Sequence, residues 1–478
     1  MADITIIIPC YNASRYIEET IQSVKKQDTE TWECIIVDDC SSDDSIDIIT
    51  EAIAGDSRFR LISLSELFNT KDHFGVAVAR NAGIARAVNE YILPLDADDL
   101  LLPNAIREFS HAADIDPNAA LIIPRIRRFG DCAPIEQDRQ WYCYEDLKYR
   151  CTPSNTSLFR WRDWFHADGY HSGTMYEDWE FWLRLLYNNS HVVNIPKVLV
   201  EYRIHKDSRW HDAVRYHDRE VSIIRNMNPK IYGDKVIVAI PYLAKGAQGN
   251  ELELAVKGWR KFFKEPYQIV IIGDYHPICS DPDITFIECP RVSPIPGQYL
   301  PHIDHVNKFR KLREHFPLSR GFVYTCDDIY PTRDFTMAAI IHPKYPEAGF
   351  NFQVGDWRTM NPDEWYTDKI KTGELCQNNG FPIRNWVCHL PVYYEWDKLL
   401  SIYDRFDCYH NSYIVENIYF NMEYPDEPQA VNCLSYRDEV RTAHPGISPI
   451  GSKMWITNAN CGWSQELEEI LTNYYDNE

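Results

Sequence analysis

Short apolar runs alternate with amphipathic segments at the start of the chain. Residues Ile4–Ile8 form a β-branched apolar run that ends at a proline, and residues Cys34–Val37 form a second run. Between them, Ile17, Ile21 and Val24 fall at helical spacing. Runs of this kind are typical of strands buried on both faces of a parallel sheet. The opening therefore predicts a strand, a helix and a parallel strand.

The alternation continues to about residue 95. It predicts helices over residues 45–54 and 76–88 and strands over residues 59–64 and 91–95. Acidic residues follow two predicted strands, at 38–39 and at 96–99. Ligands of open α/β sheets bind at the carboxyl ends of the strands, so we expect these acids to converge on one crevice.

The second half repeats the pattern of the first. A linker is expected around residues 226–235, where Asn, Pro and Gly interrupt a helical pattern. Beyond it, strands are predicted over residues 235–241, 268–274 and 321–328, with a helix over residues 251–263. The sequence thus predicts two α/β domains in tandem, residues 1–228 and 234–478, each Rossmann-related with a mostly parallel sheet.

Composition and charge narrow the classes of function. Hydrophobic residues make up 45% of the 478 residues and charged residues 25%, as in an ordinary soluble globular protein. The net charge of -22 argues against nucleic acid as a partner, because that binding depends on Lys and Arg. There is no signal-peptide pattern and no apolar stretch of about 20 residues, which predicts a cytoplasmic protein without a transmembrane segment. The 14 cysteines form no CxxC pair and are expected to be reduced thiols.

The acidic run after the fourth predicted strand is a candidate metal site. Asp96 and Asp98 form a DxD triplet, and carboxylate oxygens are the ligands that Mg²⁺ and Mn²⁺ prefer. A divalent cation at this position could neutralise the charge that develops on a diphosphate when a sugar–phosphate bond breaks. A solvated acidic loop explains the triplet equally well.

Four motifs in this order resemble the inverting family 2 glycosyltransferases of GT-A fold. They are Pro9-Cys10-Tyr11-Asn12, Asp38-Asp39-Cys40-Ser41-Ser42-Asp43, the segment from Gly75 to Gly83, and Leu95-Asp96-Ala97-Asp98-Asp99. The resemblance covers roughly residues 3–220. It implies a GT-A fold and transfer of a sugar from a nucleotide-sugar, with a UDP-sugar as the expected donor and Mn²⁺ or Mg²⁺ as the cofactor.

The resemblance also implies roles for individual residues. Those expected to contact the nucleotide-sugar are Pro9, Tyr11, Asn12, Asp39, Arg80, Asn81, Asp96 and Ala97, with Asp39 accepting from the uracil imide and Arg80 donating to phosphate. Other interpretations stay open: Asp43 could cap a helix, Asp38 could be a turn residue, and Arg80 could form a surface salt bridge.

Direct displacement needs a general base for the acceptor hydroxyl. The family places it in an acidic pair at the start of a late helix, which here matches Glu177 and Asp178. We predict Asp178 as the base and keep Glu177 as the alternative, while acids favoured by the helix dipole explain either residue alone. The Tyr-Arg-x-His segment that ends at His205 implies a metal ligand, a contact with the diphosphate, or a structural histidine. With the first of these, the expected metal set is Asp96, Asp98 and His205.

Trp179 and Trp182 could floor the acceptor site or, at helical spacing, pack in the core.

The second domain weakly resembles Stealth-type sugar-phosphate transferases, over Phe322 to Tyr330 and Cys388 to Pro391. The residues implied for a second site are Pro241, Asp274, Lys308, Arg310, Asp327, Asp328 and His389, with Lys308 or Arg310 on phosphate. A degenerate repeat that only packs is the alternative, and His305 and His410 are expected to be surface or core histidines.

These observations predict a hexosyl- or N-acetylhexosaminyl-transferase that builds a surface polysaccharide, with one or two catalytic domains. The acceptor is expected to be a glycan or a lipid-linked saccharide, which leaves open an association with the inner face of the membrane. The alternatives are one catalytic domain joined to a non-catalytic glycan-binding domain, and a regulator that binds nucleotide-sugars without turning them over.

Overall fold

The computed structural model describes residues 2–137, 143–151, 153–206, 215–291, 300–341, 344–345, 364–387, 389–425, 431–432, 436–440, 450–458 and 463–476. It divides the chain into two compact units, Met1–Tyr232 and Gly233–Glu478. Cys388, part of one motif quoted above, lies outside the described residues.

The first unit is built on a sheet whose described strands run in the order β3-β2-β1-β4-β8-β6-β9-β5, with β7 paired to β6. Strand β1 pairs in parallel with both β2 and β4, and β2 pairs in parallel with β3. The strands are β1 Ile4–Cys10, β2 Trp32–Asp38, β3 Phe59–Ser63, β4 Tyr91–Pro94, β5 Leu100–Leu101, β6 Leu121–Gly130, β7 Ile135–Gln137, β8 Leu158–Arg160 and β9 Val192–Ile204.

Helices cover the sheet of the first unit. They are α1 Ile17–Lys25, α2 Ser45–Ile53, α3 Leu64–Phe68, α4 Val76–Ile84, α5 Ala105–Ile115, α6 Tyr144–Leu147, α7 Trp161–His166, α8 Glu177–Leu185, and the helices His217–Met227 and Pro229–Gly233. Two predicted boundaries were wrong. Strand β1 continues through Pro9, whose missing N–H leaves the pairing with Val37 in register, and α4 ends at Ile84 rather than at residue 88.

The second unit has a sheet in the order β12-β11-β10-β13-β16. Its strands are β10 Val236–Tyr242, β11 Tyr267–Gly273, β12 Ile284–Glu288, β13 Gly321–Tyr324 and β16 Val392–Glu395, accompanied by the short strands β14 Ile329–Pro331, β15 Lys344–Tyr345, β17 Val431–Asn432, β18 Arg437–Val440 and β19 Trp455–Asn458. Its helices are Glu251–Phe262, Pro301–His315, Glu364–Asn378, Trp396–Phe406, Val415–Glu423 and Gln465–Asp476, with 3₁₀ turns at Pro277–Ser280 and Met337–Ala339.

The predicted α/β class is confirmed. Each unit has a core of parallel strands, extended at one side by antiparallel pairing, through β8 in the first unit and β16 in the second. Strand β1 has all seven residues buried, as its uninterrupted apolar run predicted. Within the described residues, no helix has both the length and the apolar character that a membrane crossing requires.

Helix α4 packs against β1 and β2 through Gly83. A Cβ atom built on Gly83 would lie 2.9 Å from Ile7 Cγ2 and 3.0 Å from Val37 Cγ2. These branched side chains belong to fully buried strand positions, so they have little room to move aside. Close contact between the helix and the sheet therefore depends on glycine at this position.

We predict that Gly83→Ala destabilises the first unit by about 1–3 kcal/mol, the usual cost of overpacking a core. Calorimetry of the full chain should show a lower midpoint for the first unit. Gly233→Ala is the matched control, because nothing lies within 4 Å of a Cβ atom there. Equal midpoints for the two variants would contradict the packing described here.

Candidate functional site

The loops after β1 and β2 are joined by the side chain of Asn12. The Asn12 N–H donates to Ser41 Oγ at 2.9 Å, and the Ser42 N–H donates to Asn12 Oδ1 at 2.8 Å. Asn12 adopts a left-handed backbone with φ of 50°, a conformation that Asn tolerates better than most residues. The side-chain carbonyl oxygen of Asn12 therefore positions the two loops in this conformation and does not make the predicted contact with a nucleotide.

Asp43 strengthens the same junction. Its Oδ2 accepts from the Ser14 N–H at 3.0 Å, and its Oδ1 accepts from the Ser45 N–H at 3.1 Å. The second bond satisfies a free N–H group at the start of α2, as the helix-cap interpretation of Asp43 predicted. Asp43 thus links the loop after β1 to a helix N-terminus.

Asp39 holds the start of α4. Its Oδ1 accepts from the Phe74 N–H at 2.8 Å and its Oδ2 from the Gly75 N–H at 2.7 Å, and only 2% of its surface is exposed. Gly75 caps the helix with φ of 93°, which a side chain would strain. Each oxygen of the Asp39 carboxylate thus accepts from one main-chain donor, and the predicted contact of Asp39 with a uracil imide stays a prediction.

Tyr11 provides an exposed aromatic surface beside Asp39. It is 46% exposed and stacks on His73, with 4.7 Å between the ring centroids. Neither His73 nor Phe74 was singled out from the sequence, because the 70–75 segment carries no motif residue before its glycine. Pro9 lies buried within β1, so it shapes the end of the strand rather than lining a pocket.

The acidic loop after β4 is hydrogen-bonded to the end of β9. Asp99 Oδ1 accepts from the Arg203 N–H at 2.8 Å, and Arg203 Nε donates to the Asp98 carbonyl at 2.8 Å. The Ala97 carbonyl accepts from Thr20 Oγ1 at 2.9 Å, which fixes the loop, and the predicted nucleotide contact of Ala97 stays a prediction. Burial raises the pKa of Asp99 well above its usual value, and burial followed by the Asp96 charge raises the pKa of Asp98.

Asp98 and His205 come together as a pair. Asp98 Oδ2 lies 2.9 Å from His205 Nε2, and both side chains are partly exposed. Neighbouring ligands of an octahedral Mg²⁺ shell lie about 3 Å apart, so this pair fits two positions of such a shell. No group of three or more His, Cys, Asp or Glu side chains is arranged to hold a metal ion in the described part of the chain. The predicted set of Asp96, Asp98 and His205 stays a prediction, and an ion held by the Asp98–His205 pair would need further oxygens, from Asp96 or from its ligand.

Asp96 is instead tied to Arg80. Arg80 Nη2 donates to Asp96 Oδ1 and Arg80 Nη1 donates to Glu177 Oε1, both at 2.8 Å, and the Arg80 side chain is 2% exposed. Burial alone would lower the pKa of Arg80, but the Asp96 and Glu177 carboxylates raise it, so the guanidinium stays charged. Arg80 is thus a buried bridge between two carboxylates and not a surface salt bridge, while its predicted phosphate contact stays a prediction.

Asn81 is a structural residue. Its Nδ2 donates to the Tyr170 carbonyl at 2.7 Å, and its Oδ1 accepts from the Tyr170 N–H and from Trp164 Nε1, both at 2.9 Å. These three bonds engage both ends of the side-chain amide, so the predicted nucleotide contact of Asn81 is not met in this conformation. Asn81 thereby holds the backbone of Tyr170 in place. The Tyr170 ring lies against the Arg80 guanidinium, whose Cζ is 5.3 Å from the ring centroid.

Tyr170 is a site residue that the sequence analysis missed. It is 3% exposed, and its hydroxyl has no hydrogen-bond partner among the described residues. Burial raises the pKa of this hydroxyl, and the Asp178, Glu177 and Asp96 charges raise it further. An aromatic residue before an acidic helix start is too common in sequences to signal this position.

Asp178 is the free member of the acidic pair at the start of α8. Its Oδ1 accepts from the Trp179 N–H at 2.8 Å, whereas Glu177 is held by Arg80. Burial, followed by the Glu177 charge, raises the pKa of Asp178 to about 6. Trp179 and Trp182 are 2% and 0% exposed, so they belong to the core and do not floor an acceptor site.

The predicted residues of the second unit are only partly brought together. Asp327 and Asp328 lie partly buried after β13, Asp274 Oδ2 accepts from the Ala244 N–H at 3.0 Å, and Pro241 lies within β10. His389 is exposed with φ of 46°.

The predicted phosphate contacts of the second unit are not met in this conformation. Lys308 is 3% exposed, and its Nζ pairs with Asp304 Oδ2 at 2.8 Å. Arg310 is exposed and donates to Asn307 Oδ1 at 3.2 Å. His305 and His410 were expected to be surface or core histidines. His305 packs on Phe309, and His410 pairs with Asp407 at the surface.

A protein-family match falls within the first unit. Residues 5–177 match the family model of glycosyl transferase family 2. Over 96 residues the chain is 43% identical to the putative teichuronic acid biosynthesis glycosyltransferase TuaG of Bacillus subtilis, which covers 20% of this chain and 36% of that protein. It is 28% identical over 170 residues to chondroitin synthase of Pasteurella multocida, which covers 35% of this chain and 17% of that protein.

This chain therefore spans 36% of the length of TuaG and 17% of the length of the chondroitin synthase. Among solved structures, S. aureus TarS 1-349 in complex with UDP-GlcNAc matches with a TM-score of 0.39 and 19% identity, over 46% of this chain and 66% of that chain. That similarity is too low to support an inference about ligands. The family match covers residues 5–177, and we conclude that the first unit contains a family 2 glycosyltransferase domain.

Proposed function

We propose that the first unit transfers a hexosyl or N-acetylhexosaminyl group from a nucleotide-sugar to a glycan or lipid-linked saccharide acceptor, with inversion at the anomeric carbon. The donor we expect is a UDP-sugar, and the role is in polysaccharide synthesis. One observation carries the proposal: Arg80 joins Asp96 of the acidic loop to Glu177, the residue before the free carboxylate Asp178. A donor-binding loop and a proton acceptor thereby share one edge of the sheet.

Asp178 acts as the general base in this proposal. Its carboxylate accepts the proton of the acceptor hydroxyl while that oxygen forms a bond to the anomeric carbon. The bond between the anomeric carbon and the phosphate oxygen breaks, and its electron pair leaves with the nucleoside diphosphate. A single displacement of this kind inverts the configuration. Glu177, the alternative base, is already engaged by Arg80.

The acidic loop binds the diphosphate end of the donor. Asp98 and His205 would hold a Mg²⁺ or Mn²⁺ ion, which would neutralise the charge of the departing diphosphate. Asp96 keeps part of its surface exposed, so it can also contact the nucleotide-sugar. Tyr11 offers an exposed ring on which a base could stack.

The names of TuaG and of chondroitin synthase support a polysaccharide as the product, in proteins that this chain matches only in part. Two other functions remain testable: a second unit that only grips the glycan, and a regulator that binds nucleotide-sugars without turnover. Turnover by the purified chain would exclude the regulator.

Donor turnover tests the proposed metal site. Nucleotide release should be measured with a panel of UDP-, GDP-, dTDP- and CMP-sugars in MnCl₂. We expect release from at least one UDP-sugar that is lost in EDTA, restored by Mn²⁺, and lowered about 100-fold or more in Asp98→Ala, because the cation then loses a carboxylate ligand. Release that is unchanged in both EDTA and Asp98→Ala would contradict the proposed metal site.

Substitution of Asp178 tests its role as the general base. Asp178→Asn should lower kcat by about 100- to 10,000-fold, because the amide cannot accept the proton. Asp168→Asn is the matched control: Asp168 is 95% exposed and has φ of 61°, a conformation that Asn adopts readily. Equal kcat values in the two variants would rule out Asp178 as the base.

The pH dependence of kcat/KM tests the ionisation of Asp178. Asp178 must be ionised to accept a proton, and burial followed by the Glu177 charge raises its pKa to about 6. Therefore kcat/KM should fall about tenfold per pH unit below about pH 6 and level off above it. An acid limb near pH 4, the value of an ordinary aspartate, would show that another group limits the reaction.

A further inference from the structure

The sheet of the second unit repeats the core of the first. The order β12-β11-β10-β13-β16 reproduces β3-β2-β1-β4-β8, with parallel pairing throughout except at the last strand of each set. The central pair also has the same register: all seven residues of β10 face the seven of β11, first to first, as in β1 and β2. The two cores can therefore be matched residue by residue.

Main-chain hydrogen bonds extend this match to the acidic loops. The Leu95 N–H donates to the Ile7 carbonyl at 2.9 Å, and the Thr325 N–H donates to the Ala239 carbonyl at 3.1 Å. In both cases the donor follows the strand directly and the acceptor is the fourth residue of the central strand. Counting onward by three residues in each loop brings Asp328 to the position of Asp98.

The loop after the neighbouring strand matches as well. The Asp39 N–H donates to the Cys10 carbonyl at 2.8 Å, and the Asp274 N–H donates to the Tyr242 carbonyl at 3.2 Å. Asp274 Oδ2 then accepts from the Ala244 N–H, so a carboxylate binds main-chain donors at this position in both units.

The match continues to the helix that carries the base. Strands β8 and β16 are each followed by a helix that starts with a tryptophan, Trp161 and Trp396, whose N–H groups donate to the residue before β4 or β13. The next helix has nine residues in both units. Its second residue is Asp178 in the first unit and Glu416 in the second.

Glu416 lies near the acidic loop of its own unit. Burial raises the pKa of Glu416 to about 8, so the form that can accept a proton predominates only at alkaline pH. Burial is the main cause of the raised pKa values of Tyr324 and Cys326, and Glu416 makes a smaller contribution to both. Cys326 occupies the position of Asp96, which influences Asp178 in the same way. Glu416 is partly exposed and has no ion-pair partner among the described residues. It was not among the residues expected from the sequence.

Unpartnered polar atoms lie at the same strand end. Thr325 is fully buried, and neither its hydroxyl nor Asp328 Oδ1 has a hydrogen-bond partner in the described residues. Buried polar atoms are usually satisfied, so Asp328 Oδ1 in the acidic loop marks a place where a polar ligand would complete the hydrogen bonding. Thr325 takes the position of the core residue Leu95 and does not mark such a place. The position of Asp328 agrees with the loop that binds the donor in the function proposed for the first unit.

We propose that the second unit contains a second sugar-transfer site, in which Asp328 would contact the diphosphate of a nucleotide-sugar through a divalent cation and Glu416 is the proton acceptor. The assignment of the ligand class rests on the proposed function of the first unit. The reaction has the same balance: the acceptor oxygen bonds to the anomeric carbon, its proton passes to Glu416, and the nucleoside diphosphate leaves with the bonding electrons. Cys326 and Val415 replace Asp96 and Glu177, so the second site lacks the bridged carboxylates and is expected to prefer a different donor.

Binding stoichiometry tests the second site separately from the first. Equilibrium dialysis of the full chain is carried out with MnCl₂ and UDP, GDP, dTDP or CDP, singly and in competition. It should give two distinct nucleotide sites per chain, where a site that binds more than one nucleotide is counted once. Asp98→Asn should remove one site and Asp328→Asn the other. A single site removed by Asp98→Asn and unaffected by Asp328→Asn would overturn the second site and leave the first. A single site removed only by Asp328→Asn would overturn the function proposed for the first unit, and the absence of any site would overturn both.

Turnover tests the role of Glu416. With the donor that Asp98→Asn still turns over, Glu416→Gln should lower nucleotide release about 100-fold or more while the affinity for the nucleotide changes little. Asp407→Asn is the control, since Asp407 is an exposed residue of the same unit with φ of 48°. Loss of all release in Asp98→Asn, or unchanged release in Glu416→Gln, would overturn the proposal. Calorimetry of each variant separates loss of function from loss of folding.

Discussion

The parallel pairing of β1 with both β2 and β4 is the constraint on which the candidate site depends. It brings the loops after these three strands to one edge of the sheet, since parallel strands end on the same side. Each loop is then fixed by a different bond. Asn12 joins the first loop to the second, Asp39 holds the start of α4, and the third loop is stitched to β9 through Asp99. The arrangement needs the correct strand order before any of these side chains can meet.

Arg80 turns this edge into a coupled site. A buried guanidinium is costly unless it is paired, and here two carboxylates from distant parts of the chain pair it. One consequence is a division of roles between adjacent acids: Glu177 neutralises Arg80, while Asp178 stays free with a raised pKa. A second consequence is mechanical, because the Arg80 ion pairs tie the acidic loop to the start of α8. The second unit keeps the strand order without this bridge, which makes it a natural comparison.

Much of the fold and the positions of the key acids could be predicted from the sequence. The apolar runs defined β1 and β2, and the acids at 38–39 and 96–99 do end up at the ends of β2 and β4. The partners of individual side chains could not be predicted, because they depend on contacts between residues far apart in the chain. Arg80 and Glu177 are 97 positions apart, and the Asp39 carboxylate is occupied by main-chain N–H groups that no sequence pattern shows. Glu416 was missed for a related reason: its position is defined by the order of elements and not by a motif.

The stereochemistry of transfer tests the central claim most directly. Proton NMR can follow the anomeric signal of the sugar as an accepted donor is hydrolysed or transferred, before the free sugar equilibrates. A single displacement assisted by Asp178 predicts that the first product has the opposite anomeric configuration to the donor. A first product with the donor's configuration would contradict direct displacement, and with it the role assigned to Asp178.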